Sequence, residues 1–178
     1  MNTKVKTRTW MALLNLLFLF TAINAQPVRQ HLHEGWNFRQ ARGTNWYEAT
    51  VPGTVHTDLM DNKLIDDPFY RLNERGVQWV DKEDWIYRTT FDVTPELLAK
   101  KNIVLHFEGL YTYADVTLNG KKILSADNMF CEWQVDVRSL LKEHGNELQV
   151  YLHSPIKIAM PKWEAVPFQY RSSNDQSE

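Results

Sequence analysis

Residues 85–93 have the sequence WIYRTTFDV, and this stretch decides the fold class because apolar and polar side chains alternate along it. A period of two is typical of a β-strand, since successive side chains point to opposite faces of a sheet. One apolar and one polar face indicate a half-buried strand of an antiparallel sheet. The predicted buried face consists of Trp85, Tyr87, Thr89, Phe91 and Val93.

Four further runs show the same alternation, at 103–107, 114–118, 131–137 and 147–152. Asn119-Gly120 lies between the run that ends at Leu118 and a Lys-Lys-Ile-Leu segment at 121–124. An Asn-Gly pair between two such segments predicts a tight hairpin. Many short strands joined by turns favour an all-β jelly roll or β-sandwich. The single cysteine, Cys131, falls on a predicted apolar face, so we expect it to be an inert core residue.

Short helices are predicted as connectors between the strands. Thr94-Pro95 has the composition of a helix start and predicts a helical turn at 94–99, and a second turn is expected at 138–142. Thr54 is expected to cap another short helix. The apolar residues on one face of that helix would be Val55, Leu59 and Met60.

The two ends of this strand-rich region are less regular. Residues 35–39 predict a first strand, whereas 66–78 have few apolar residues and no period, which predicts a long loop. We expect three prolines to keep the chain extended before its polar tail. These are Pro155, Pro161 and Pro167.

The N-terminus predicts export. Three basic residues lie within the first eight, residues 10–22 are almost entirely apolar, and the small residue Ala25 follows. This arrangement is typical of a cleaved secretory signal peptide, here residues 1–25, and the apolar run is short for a membrane span. We therefore expect a periplasmic or extracellular protein with no membrane contact after cleavage.

Composition narrows the classes of function. Removing residues 1–25 leaves 153 residues, enough for one domain with its own core, with 17 basic and 22 acidic side chains. An acidic chain without a basic block argues against nucleic acid as a partner. One cysteine excludes an internal disulfide, and His31 and His33 have no third ligand at a suitable spacing, so neither a metal nor a cofactor is expected.

Seven short motifs follow one another in the middle of the chain. They are VPGTVHTDL at 51–59, IDDPFY at 65–70, NE at 73–74, QWV at 78–80, WIY at 85–87, FEGL at 107–110 and ADVTLNG at 114–120. In this order they resemble the N-terminal domain of β-mannosidases in glycoside hydrolase family 2. The IDDPFY and NE motifs favour the mannosidases over the β-galactosidase and β-glucuronidase branches of the family.

The resemblance implies a jelly roll of the galactose-binding-domain-like type with short connecting helices. In that family an immunoglobulin-like domain and a TIM barrel follow, and the two catalytic glutamates lie on the barrel. A tryptophan- and aspartate-rich motif that reaches the active site would lie shortly after Glu178. We therefore expect a signal peptide at 1–25, the β-sandwich at 26–155, a truncated final segment at 156–178, and no catalytic residue.

Aromatic and acidic side chains give the candidate contact residues. Trp163 and Trp79 are the candidates for stacking against sugar, whereas Trp85 opens an apolar strand face and is expected in the core. The acids of the loops, such as Asp66, Asp67 and Asp84, are expected to be solvated. The candidates for docking on neighbouring domains are His56, Asp58, Phe69, Tyr70 and Phe168.

These observations predict the non-catalytic N-terminal domain of a secreted, retaining β-mannosidase. Its partners would be the immunoglobulin-like and barrel domains, and β-mannoside oligosaccharides through the full-length enzyme. One alternative is a free-standing carbohydrate-binding module, and another is a domain of a β-galactosidase or β-glucuronidase. A third is an inactive product of a frameshift or gene split.

Overall fold

A computed structural model describes residues 27–168 of the 178-residue chain. The predicted signal peptide and the polar tail at 171–178 lie outside the described residues. Eight β-strands dominate the described part, joined by short helices. The predicted all-β class is therefore confirmed.

The strands form one large and one small antiparallel sheet. The large sheet has six strands in the order β2-β1-β3-β8-β5-β6, and the small sheet pairs β4 with β7. The bounds are β1 Asn37–Gln40, β2 Tyr47–Glu48, β3 Trp85–Phe91, β4 Val104–Phe107, β5 Ala114–Leu118, β6 Lys121–Ala126, β7 Trp133–Asp136 and β8 Asn146–Leu152.

One row of side chains across the large sheet shows how the alternation builds the core. Neighbouring strands align Phe38 with Tyr87, Tyr87 with Val150, Val150 with Val116, and Val116 with Leu124. The first four of these residues are buried, and apolar residues of the small sheet pack against the same cluster. The two sheets therefore enclose one hydrophobic core, which forms a β-sandwich.

The hairpin between β5 and β6 forms where the Asn-Gly pair predicts it. Asn119 has φ 52° and Gly120 has φ 78°. Positive φ at both central residues is the backbone of a type I′ turn, whose twist matches that of the strands it joins. The Asn119 amide also donates to the Leu140 carbonyl at 2.8 Å and to the Asn146 side chain at 3.0 Å, which ties the hairpin to the chain that leads into β8.

Two predicted helices are confirmed. Helix α1 spans Val55–Asp61, and Thr54 and Thr57 form a capping box at its start. Helix α2 spans Pro95–Leu98, and its first turn is capped by the Thr94 hydroxyl. The turn predicted at 138–142 also forms, through hydrogen bonds from the Leu140 and Leu141 N–H groups to the Val137 carbonyl.

The prediction of an extended chain after residue 154 is wrong, because Pro155–Glu164 forms helix α3. Ser154 caps this helix and Pro155 occupies its first turn. A proline is tolerated there because the N–H groups of the first turn have no partner within the helix. Pro161 lies inside the helix and removes one backbone donor, but its carbonyl still accepts from the Ala165 N–H at 3.2 Å.

Two other expectations need correction. Cys131 is exposed, because β7 begins only at Trp133 and the period of two does not extend back to the cysteine. The loop at 66–78 contains a short 3-10 helix, Asn73–Val77, and a second one, Val80–Lys82, follows it.

Strand β2 has no counterpart among the predicted strands. At two residues, it is too short to leave a pattern in the sequence.

Candidate docking and sugar-contact site

Asp58, a predicted docking residue, lies inside the domain. Its side chain is 1% exposed, accepts a hydrogen bond from the Tyr87 hydroxyl at 2.6 Å and accepts another from the Thr50 N–H at 2.8 Å. Burial raises the pKa of the Asp58 carboxyl, against the opposing effect of these two donors. Asp58 fixes α1 to the large sheet, which gives it a structural role, and its role in docking stays a prediction.

The loop after α1 holds the aromatic docking candidates, and we call residues 66–73 the aromatic loop. Its backbone is ordered by Asp67, whose carbonyl accepts from the Tyr70 N–H at 3.1 Å and from the Asn73 amide at 2.9 Å. The Asp67 carboxylate also accepts from the Phe69 N–H at 2.9 Å. Such internal bonds hold a loop in one conformation without burying its side chains.

The aromatic loop presents its apolar side chains outward. Phe69 is 93% exposed, and Tyr70 and Leu72 are also exposed. The Arg71 guanidinium lies 5.0 Å from the centre of the Tyr70 ring. His56, the docking candidate on α1, is half-buried. Exposure of large apolar side chains on an ordered loop is typical of a surface that contacts a partner.

An open cleft of about 430 Å³ lies beside this loop, lined by Asp66, Asp67, Tyr70 and Asn73. Carboxylates and an amide can hydrogen-bond sugar hydroxyls, and a tyrosine ring can stack on a pyranose. Neither Trp79 nor Trp163 lines the cleft. The two sugar-contact candidates are therefore separate from the polar cleft.

Trp79 lies at the end of the long loop and is 39% exposed. Its ring packs at 5.9 Å from that of Trp85, which is buried as predicted and donates its indole N–H to the Val80 carbonyl at 3.0 Å. One side of Trp79 is thus covered by the core and the rest remains available for contact.

Helix α3 carries the other candidate, Trp163, and is fixed to the sandwich through Asp84. The Asp84 carboxylate accepts from the Ser154 N–H at 2.8 Å and from the Tyr151 hydroxyl at 3.0 Å, and the Lys157 ammonium lies 3.5 Å away. Partial burial raises the pKa of Asp84, but these three donors together lower it below its usual value. Asp84 is therefore a structural anchor and not a solvated loop acid.

A polar cluster that was not predicted from the sequence lies on the outer face of the large sheet. The Asp115 carboxylate accepts from Ser125 at 2.7 Å and lies 2.7 Å from the Lys122 ammonium and 3.3 Å from His153. The Lys122 ammonium is the main reason that the pKa of Asp115 falls to about 2. Its residues lie on β5, on β6 and directly after β8, so only a known strand order could have indicated the cluster.

Residues 27–168 contain neither a metal-ligand cluster nor a membrane-spanning helix. That part of the chain brings together no group of three or more metal-ligating side chains, and His31 and His33 stack on each other at 5.2 Å. Within the same residues, no helix has the length and apolar character that crossing a membrane requires.

Two antiparallel sheets around one core, with an ordered aromatic loop and a capped helix at the edge, define a galactose-binding-like β-sandwich domain. The sequence profile described as "Glycosyl hydrolase 2 galactose-binding domain-like" matches residues 36–178. The chain belongs to this family.

Individual relatives point to one branch of the family. β-Mannosidase B of Thermothelomyces thermophilus is 44% identical over 126 residues, which cover 69% of this chain and 15% of the relative. β-Mannosidase B of Emericella nidulans is 42% identical over 121 residues, which cover 65% of this chain and 14% of the relative. The crystal structure of a β-D-mannosidase from Dictyoglomus thermophilum superposes with a TM-score of 0.74 at 47% identity, covering 78% of this chain and 17% of that one.

The matched part of this chain therefore covers only about one sixth of the length of these relatives. It is homologous to their glycoside hydrolase family 2 N-terminal domain. An exo-chitosanase of Amycolatopsis orientalis, at 22% identity and a TM-score of 0.59, shares the fold. At that identity the similarity shows the fold alone.

Proposed function

We propose that this chain is the non-catalytic N-terminal domain of an exported, retaining β-mannosidase that releases terminal β-linked mannose. The observation that carries the proposal is the identity of 42–47% to β-mannosidases over most of the described sandwich. The identity to a β-glucuronidase is only 21%. A β-glucuronidase therefore has less support than a β-mannosidase as the enzyme to which this domain belongs.

The role of the domain in such an enzyme is to frame the active site and pack on the remaining domains. Retaining hydrolysis requires two carboxyl groups about 5 to 5.5 Å apart across the glycosidic bond. The acids beside the cleft are exposed, and the Asp67 carboxylate is engaged by the Phe69 N–H. We assign no step of the reaction to these residues, and the aromatic loop acts as a contact surface.

A free-standing carbohydrate-binding module is the second candidate function. The cleft lined by Asp66, Asp67, Tyr70 and Asn73 favours it, since these side chains combine hydroxyl-binding groups with an aromatic ring. A module would bind manno-oligosaccharides by itself, whereas a domain of a larger enzyme supplies only part of a binding site.

A domain graft tests the proposed function. The chain without residues 1–25 would replace the first domain of the Dictyoglomus thermophilum β-mannosidase, and hydrolysis of an aryl β-mannoside would be measured. We expect hydrolysis by the graft, but not by the 178-residue chain alone or by the Dictyoglomus enzyme lacking its first domain.

Two results would contradict the proposal. One is a soluble graft without activity. The other is turnover by the chain alone that disappears in Asp66→Asn or Asp67→Asn, because a carboxylate of the cleft would then be catalytic.

A further inference from the structure

Helix α3 carries an apolar stripe that is partly exposed to solvent. Ile156, Met160 and Trp163 are spaced i, i+4 and i+7, which places them on one face of the helix. They are exposed at 37%, 39% and 40%, so each contacts solvent over more than a third of its surface. No charged residue lies between them on that face.

The opposite side of the same helix is attached to the domain. Lys157 lies 3.5 Å from Asp84 and 3.8 Å from Glu83, and Lys162 lies 5.2 Å from the centre of the Tyr113 ring. Ile158, on this side, is half-buried. The Ser154 hydroxyl donates to the Asp81 carbonyl at 2.6 Å while also capping the helix.

This attachment fixes the rotation of the helix about its axis. Because Lys157, Ile158 and Lys162 face the sandwich, the stripe cannot turn inward without breaking the contacts that they make. A fixed apolar face of this kind loses little conformational freedom when a partner covers it.

The chemistry of the stripe does not suit a sugar. Sugar sites combine an aromatic ring with hydrogen-bonding groups that match the hydroxyls. The neighbours of Trp163 on the face are Ile156 and Met160, which offer no hydrogen-bonding group. An apolar protein surface matches the stripe better than a pyranose.

We infer that the stripe formed by Ile156, Met160 and Trp163 is a docking surface for an apolar face of the remaining part of the same enzyme. This inference rests on the proposed function. The relatives have nearly five times the length of this chain, so most of the polypeptide that could cover the stripe lies outside the residues described. Val166 and Phe168 continue the exposed apolar surface directly after the helix.

The test compares one double variant in two settings, the chain alone and the graft into the Dictyoglomus enzyme. Ile156→Gln with Met160→Gln removes apolar surface that is exposed in the chain. We expect the thermal unfolding midpoint of the chain to change little, and that of the much larger graft to fall by about 2 °C. The matched control is Val104→Thr, an exposed apolar position on β4, which should leave both midpoints unchanged.

The outcomes separate failure of the docking inference from failure of the proposed function. An active graft whose midpoint does not move, or equal shifts in both settings, would overturn docking and leave the proposed function intact. An inactive graft would contradict the proposed function.

Sedimentation velocity of the chain then decides the docking question by itself. The inference predicts weak, open-ended association of the chain, and less association of the double variant. Equal association of the unsubstituted chain and the double variant would overturn the inference. A discrete dimer that the double variant dissociates would identify a second copy as the occupant and overturn it too. Loss of manno-oligosaccharide binding in Trp163→Ala would assign the stripe to sugar instead.

Discussion

The Tyr87 hydroxyl donates a hydrogen bond of 2.6 Å to the Asp58 carboxylate, and both side chains are buried. This contact joins α1 to the central strand β3 and fixes the base of the loop that carries Phe69 and Tyr70. Asp58 belongs to the motif at 51–59 and Tyr87 to the motif at 85–87, so the bond connects these two motifs in the fold.

Tyr87→Phe should therefore destabilise the domain. The substitution keeps the ring in the core but leaves a buried carboxyl without one of its two donors, which costs about 1–3 kcal/mol. Urea unfolding followed by tryptophan fluorescence measures the change. Tyr111→Phe, at an exposed tyrosine, is the control and should have no effect. Equal stability of Tyr87→Phe and the unsubstituted chain would show that the bond contributes nothing.

Ser154→Ala should also destabilise the domain, because Ser154 caps α3 and donates to the Asp81 carbonyl. Loss of a helix cap costs about 1 kcal/mol, and the second bond adds to this. Thr94→Ala removes the cap of the exposed helix α2 and should cost less. The two urea midpoints can be compared directly, and a larger loss for Thr94→Ala would contradict the anchoring role of Ser154.

Acid should remove the stabilisation that Asp115 provides. Its folded-state pKa is lowered to about 2 from 3.8, so the contribution is present above pH 3.8 and is lost as the pH falls through about 2. We expect the stability difference between the unsubstituted chain and Asp115→Asn to shrink between pH 5 and pH 2.

Urea midpoints at several pH values measure this difference, and Asp127→Asn, at an exposed carboxylate, is the control. A difference that stays constant over this range would show that the contacts with Lys122, Ser125 and His153 do not depend on the charge of Asp115.

Cys131 should react with a thiol reagent in the native state, because it is exposed. A maleimide added without denaturant is expected to label the chain completely at neutral pH, as measured by mass spectrometry. Labelling that requires urea would restore the buried position that the alternation predicted.

The alternation predicted the strands well because it reports which face is buried, and five of the eight strands repeat it over at least four residues. It could not place Cys131, since the end of a strand depends on its neighbours. Helix α3 was missed because Pro161 suggested an extended chain, although Ser154-Pro155 has the same helix-start composition as Thr94-Pro95. The cap at Ser154 and the anchor at Asp84 outweigh the missing donor of Pro161.

The contact residues were predicted less completely, and the reason is again tertiary structure. Phe69 and Tyr70 are exposed on an ordered loop, as a docking role requires, but Asp58 from the same motif series is buried. Sequence separation hides its pairing with Tyr87, which is 29 residues away. The network of Asp84, Tyr151 and Ser154 connects residues still further apart.

The measurement that most directly separates a domain of a larger enzyme from a free-standing module is titration calorimetry of residues 26–178 with mannose and manno-oligosaccharides. A domain that supplies part of a pocket gains few contacts, and association first costs several kcal/mol of lost freedom. We predict dissociation constants no tighter than about 1 mM, a binding free energy near −4 kcal/mol. Micromolar binding that Trp163→Ala or Trp79→Ala abolishes would contradict this and identify the chain as a carbohydrate-binding module.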